Sequence, residues 1–158
     1  MMRMQDPAEL QAVIAHEAAH IANGHLTRRP AAARSAGSAA RLGLILGLIT
    51  AGASGNAEAG MGMAAGSMAS AQRVFFAHTR SEESSADQAA LRYMTTAGVD
   101  PAAMARVLEL FRGQEALSVG RQDPYVRTHP LTRDRLRAVE AFGQSTGALS
   151  DDSARYWF

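Results

Sequence analysis

Two histidines four residues apart enclose a glutamate in His16-Glu17-Ala18-Ala19-His20. On a helix, four residues turn the chain by about 400°, so both imidazoles leave one face, one above the other. They then offer two neutral nitrogen ligands to a single metal ion, and Zn²⁺ suits such a pair. Glu17 lies one step round from His16, within reach of a water on that metal but not an obvious ligand. The competing explanation is a pair of surface histidines on an amphipathic helix. The local helix signal weighs against it. Asp6 can cap, Pro7 fills the first helical position, and Glu9 completes a capping-box pattern. Leu10, Val13, Ile14 and Ile21 follow at helical spacing, and Gly24 is a C-terminal stop. This pattern predicts a helix over Pro7–Asn23.

A hydrolytic metal site needs a third protein ligand and an open position. The metzincin pattern would set glycine seven and histidine ten residues after His16, where Asn23 and Leu26 stand. His25 follows Gly24 and would point away from the pair on a continued helix, so it reads as a surface or supporting residue. Further on, Glu83-Ser84-Ser85-Ala86-Asp87 begins another helical region, with Asp87 one turn after Glu83 on the same face. A glutamate there can complete the ligand set, and Asp87 can accept the free ring N–H of a ligand histidine, fixing its tautomer. Spacing does not choose between Glu82 and Glu83. An acidic first turn, favoured by the helix dipole, is the rival explanation of the same residues. Thr128-His129-Pro130 on its own reads as a turn before a helix.

The elements that would position these groups are mainly helical, and no convincing alternating strand or internal repeat is present. Thr27 to Ser38 reads as a basic, Ala/Ser-rich connection. Residues 42–72 read as a Gly/Ala-rich helical hairpin, apolar from Leu42 to about Ala53 and rich in Gly, Ala and Met from 57 to 71. Its apolar part is shorter than the roughly 20 residues of a membrane span. Two readings stand for it: a packed hairpin, or a membrane-surface or membrane-inserting element whose small residues suit packing in lipid. A helix over Ser81–Ala97 closes at Gly98. Another starts at Asp100-Pro101, presents Met104, Val107, Leu108 and Phe111 on one face, and ends at Gly113. Residues 114–128 read as loop. A last helix, capped by Thr132, carries Leu136, Val139 and Phe142 and stops at Gly143.

Composition bounds the function classes. The 158 residues are 47% apolar and 20% charged, a globular balance for one domain. A net charge of +1 gives no strong field toward nucleic acid, and nucleic acid is not expected as a partner. All basic residues are arginine. Cysteine is absent, so any zinc site must use His, Asp or Glu. The N-terminus lacks a signal-peptide core, and the chain stops inside an apolar run, Ala154-Arg155-Tyr156-Trp157-Phe158. Both ends read as cut, as in a fragment of a longer protein.

Taken in order, His16-Glu-x-x-His20 with Asn23-Gly24-His25, Glu83-x-x-Ala86-Asp87, and Thr128-His129-Pro130 with Arg135 resemble the gluzincin zinc metallopeptidases of the HtpX, CAAX-prenyl-protease and BepA-like type. The resemblance spans about residues 5–142 and implies a helical zincin core over 1–158, a single catalytic-domain fragment. Its catalytic helix would be 6–24, its third-ligand helix and the next 81–113, and its His-Pro motif and last helix 129–143. It implies His16, His20 and Glu83 as ligands of one Zn²⁺, Glu17 as general base, and Asp87 as support behind the ligands. His129 would stabilise the oxyanion or gate the open position, and Arg135 would hold that segment or the carboxylates. The substrates implied are polypeptides, such as misfolded membrane or envelope proteins, in the bacterial cell envelope. Family members carry an edge strand before the catalytic helix that pairs with substrate. Only about six residues precede the helix here, so the strand is expected to be truncated. The second class of function is a latent or non-catalytic zinc-binding module acting through a partner or membrane.

Overall fold

The first helix begins as its sequence dictates. The Asp6 carboxylate accepts the Ala8 N–H at 2.9 Å, Pro7 fills the first turn, and α1 runs Pro7–Ala22 before Asn23 caps it and Gly24 turns left-handed at φ 67°. In this computed structural model, which describes residue 4 and residues 6–153, five helices follow. They are α2 (His25–Ser54), α3 (Ala57–Thr96), α4 (Ala102–Leu110), α5 (Pro124–Thr128) and α6 (Arg133–Ser153). No strand occurs among the described residues, so the fold is mainly α. The apolar run 154–158 lies outside them.

The chain divides into two compact units, residues 1–23 with 82–158, and residues 24–81. In the first, α4 packs against both α1 and α6. The core is Met104, Val107, Leu108 and Phe111 from α4, Leu91 and Met94 from α3, and Leu136 and Val139 from α6. The α4 face read from the sequence is therefore the buried one. Asp100 starts it by accepting the Ala102 N–H at 2.9 Å, and Thr132 accepts the Arg135 N–H at 3.3 Å to start α6.

Several boundaries differ from expectation. The basic stretch 27–38 is helical, because Ala and Arg are strong helix formers and together outweigh Pro30, which α2 carries inside it. Helix α3 is continuous from Ala57 to Thr96, so Glu83 is an interior residue and not part of an acidic first turn. Nothing between Gln72 and Ser81 breaks a helix. Helix α6 runs through Gly143, whose neighbour Ala102 is at ordinary contact distance. Glycine ends a helix where the chain must turn left-handed, and here it need not. In α1 the buried residues are Glu9, Ala12, His16, Ala19 and His20, while Leu10, Ile14 and Ile21 face outward. The helical period is as expected, but the buried stripe is the polar one that carries the chemistry.

In the second unit, α2 and the first part of α3 form the hairpin. Gly55, at φ 64°, turns the chain, and Asn56 Oδ1 accepts the Ala59 N–H at 3.0 Å. The two helices approach at glycine. A Cβ on Gly43 would collide with Ser67, one on Gly47 with the Gly60 carbonyl and Ala64, and one on Gly60 with the Gly47 carbonyl and Ala51. At Gly60 the obstruction is backbone and cannot rotate away. Gly60→Ala is expected to cost about 1–3 kcal/mol by overpacking. Gly62→Ala, which meets nothing within 4 Å, should stabilise by up to about 1 kcal/mol through helix propensity. Urea unfolding followed by circular dichroism checks both, and equal effects would contradict a glycine-dependent interface.

Candidate metal centre

Helix α1 sets His16 and His20 on its buried face, and both are about 1% exposed. Helix α3 brings Glu83, fully buried, against them. His16 Nε2 is 3.1 Å from His20 Nε2 and 3.3 Å from Glu83 Oε2, and His20 Nε2 is 3.4 Å from Glu83 Oε1. Ligands about 2.0–2.1 Å from a tetrahedral ion lie roughly 3.3 Å from one another, so these three side chains already have the separation of a shared metal. Glu82 is also buried but lies outside the group. Of the two glutamates that spacing left open, Glu83 is the one within the group. His25 opens α2 and is not in the group.

A fourth side chain joins them. His129, at the end of α5, places Nδ1 3.2 Å from Glu83 Oε2 and 3.4 Å from His16 Nε2. Donor atoms of His16, His20, Glu83 and His129 all lie within 4.8 Å of one another, so the four could hold a metal ion. The other ring nitrogen, Nε2, is 3.3 Å from Glu17 Oε1. That oxygen is buried and has no aligned hydrogen-bond donor, although the Glu17 side chain is 43% exposed. A buried acceptor facing a set of nitrogen and carboxylate donors fits a site built for a cation and a water.

Behind the donors stands a buried ion pair. Arg135 donates from Nε and Nη2 to the two Asp87 oxygens at 2.7 and 2.8 Å, a bidentate fork. Its Nη1 donates to the Pro130 carbonyl at 2.9 Å and lies 3.0 Å from Glu83 Oε2. One guanidinium therefore touches both carboxylates and the segment that carries His129. Asp87 Oδ1 is also 2.9 Å from His16 Nδ1, a close contact not aligned as a hydrogen bond.

The charges explain the titration of the group. Burial raises the Glu83 pKa, but hydrogen bonds to His129, His16 and His20 and the charge of Arg135 outweigh it and hold the carboxyl far below its usual range. Asp87 is likewise pushed up by burial and pulled down further by His16 and Arg135. Burial lowers the His16 pKa, while Asp87 and Glu83 raise it more, leaving it above the ordinary value.

Sequence reasoning missed Tyr125. Its ring stacks on His129 with centroids 4.7 Å apart and on Phe111 at 5.1 Å, tying the His129 segment to the core. Burial and the nearby Glu17 carboxylate raise its pKa. The signal was present: Asp123-Pro124 repeats the cap-and-proline start of α1, and Asp123 accepts the Tyr125 N–H at 2.9 Å.

Arg135→Ala strips the cation from two buried carboxylates. In metal-free protein it is expected to cost about 3–5 kcal/mol in denaturant unfolding. Arg135→Lys should lie between, since it keeps the charge but loses the fork. An alanine variant as stable as the parent would show that the pair does not hold this region.

Comparison with known proteins agrees with this donor set. Residues 1–142 match the model of peptidase family M48. The beta-barrel assembly-enhancing protease of Yersinia pestis is 30% identical over 129 residues, covering 82% of this chain and 26% of that protein. The Escherichia coli K12 protein of the same name gives the same figures. A putative one from Vibrio cholerae is 33% identical over 138 residues, covering 85% and 27%. The chain thus spans about a quarter of the length of these curated relatives. No solved structure matches it significantly. With its H-E-x-x-H helix, a buried carboxylate beside the two histidines and a family match over nearly its whole length, the chain belongs to peptidase family M48.

Proposed function

We propose that the chain is the catalytic part of a zinc endopeptidase, with residues 1–158 working as one domain. The observation that carries this is the 3.1–3.4 Å spacing of His16, His20 and Glu83 beside the buried oxygen of Glu17. His16, His20 and Glu83 hold the metal. Bound Zn²⁺ would supply a Lewis acid and a water whose pKa is lowered toward about 7. Asp87 keeps the His16 proton on Nδ1, which leaves the Nε2 lone pair free for a ligand bond. Glu17 takes a proton from the attacking water and returns it to the leaving amine. The histidines and, with them, Arg135 favour the ionised forms of Glu83 and Asp87.

The substrates are polypeptides of the bacterial cell envelope, periplasmic or membrane-associated, and misfolded membrane or envelope proteins fit best. The names of the curated relatives, which speak of β-barrel assembly, support that class. Glu17→Gln should keep its metal and lose about 10²–10⁴ in casein cleavage. Undiminished turnover in that variant would remove Glu17 from the base role.

A second reading, latency, is favoured by one observation: His129 Nδ1 sits among the donors, within 3.4 Å of both Glu83 and His16. There it acts as a gate that must leave before a substrate carbonyl enters. His129→Ala should then raise cleavage, whereas a fall would assign it to oxyanion stabilisation.

A further inference from the structure

Three rings run in line from the core of the first unit to the metal group. Phe111, buried just after α4, stacks on Tyr125 with centroids 5.1 Å apart and planes at 19°. Tyr125 stacks in turn on His129, at 4.7 Å and 25°. Both separations are those of offset-stacked rings. The His129 imidazole meets its other ring neighbours differently. Its plane is at 76° to His16 and 68° to His20, with centroids 5.3 and 5.0 Å away. A phenol ring thus covers one face of the imidazole, while its nitrogens make the polar contacts.

The backbone around His129 is held by other bonds. The His129 N–H donates to the Tyr125 carbonyl at 2.8 Å, and the Pro130 carbonyl accepts Arg135 Nη1 at 2.9 Å. Asp123 caps α5, and its own N–H donates to Gln114 Oε1 at 2.8 Å. None of these bonds fixes the rotation of the imidazole, a torsion that is broad and roughly two-fold in itself. That rotation decides the contacts. As it stands, Nδ1 is 3.2 Å from Glu83 Oε2 and 3.4 Å from His16 Nε2, and Nε2 is 3.3 Å from Glu17 Oε1. A quarter turn would swing the nitrogens off these partners and drive an edge of the ring into Tyr125. Tyr125 has no room to draw back, because Phe111 and the close-packed core stand behind it.

We infer that Tyr125 is a positioning residue: its ring, backed by Phe111, fixes the plane of the His129 imidazole, with one nitrogen toward Glu83 and His16 and the other toward Glu17. The ring suffices for this, and the hydroxyl is not needed. The geometry stands without a metal. Its consequence for cleavage rests on the role proposed for His129, as gate or as oxyanion stabiliser. In either role, loss of the Tyr125 ring moves cleavage in the same direction as loss of the His129 imidazole.

Proton magnetic resonance of the whole metal-free chain tests the geometry. The His129 ring protons should be shifted upfield by the Tyr125 ring current and show cross-relaxation with the Tyr125 ring. Tyr125→Phe, which keeps the stack, should preserve both. Tyr125→Leu should lose the upfield shift with helical circular dichroism unchanged. In casein cleavage, Tyr125→Leu should change the rate by roughly two- to tenfold, the worth of one ring pair, in the direction that His129→Ala takes. Tyr125→Phe should stay with the parent. Added to His129→Ala, Tyr125→Leu should have no further effect, because both act through one group. Should Tyr125→Leu lose its helices, the ring contact in the parent and in Tyr125→Phe carries the test. A parent without that contact would overturn the inference. So would a Tyr125→Phe change as large as that of Tyr125→Leu, or a Tyr125→Leu effect that persists in full beside His129→Ala. The resonance test needs no activity, so a chain that fails to cleave casein is still judged by its ring contact.

Discussion

Asp87 and Glu83 lie one helical turn apart on α3, almost wholly out of water, and the surrounding histidines together with the guanidinium of Arg135 hold both carboxyls below their usual range. Two buried negative charges side by side would otherwise repel each other or take up protons. Every part of the centre rests on that neutralisation. As a carboxylate, Glu83 could share a cation with the two histidines. Asp87 stands 2.9 Å from His16 Nδ1. The bond from Arg135 to the Pro130 carbonyl ties the His129 segment to the same charge, and α6 supplies the arginine from the far end of the chain. The catalytic helix alone would be a pair of histidines; the ion pair and the core of α4 against α1 and α6 make it a site.

The two units solve burial in opposite ways. The first encloses a core of Met94, Met104, Val107, Phe111 and Val139 and spends its interior polar space on the metal group. The second brings its helices together at Gly43, Gly47 and Gly60, beside a Thr50–Met63 contact, and leaves many large apolar side chains exposed. The contrast lies in where side-chain volume sits, not in composition.

What could be read from the sequence was what local geometry decides. The spacing of His16 and His20, the Asp6-Pro7 cap and the apolar face of α4 need only the helical period. Spacing alone does not prefer Glu83 to Glu82, because that depends on which face of α3 turns inward, a tertiary fact; the family resemblance is what points to Glu83. The length of α3 was missed for a different reason: Gly, Ala and Met between 57 and 71 look like a separate piece, yet no residue up to Ser81 stops the helix. The outward face of Leu10, Ile14 and Ile21 shows the limit of apolar period as a guide. Burial in α1 follows the chemistry of His16 and His20. Tyr125 was legible in the Asp123-Pro124 start of α5 and was lost by treating 114–128 as loop.

The central claim is that His16, His20 and Glu83 form one zinc site. Metal analysis of the purified chain by mass spectrometry, beside a His16→Ala variant, tests it most directly. The account predicts about one zinc per chain in the parent, as a single tetrahedral site requires, and its loss in the variant. A parent that takes up no zinc after reconstitution near neutral pH, or a variant that keeps it, would contradict the account.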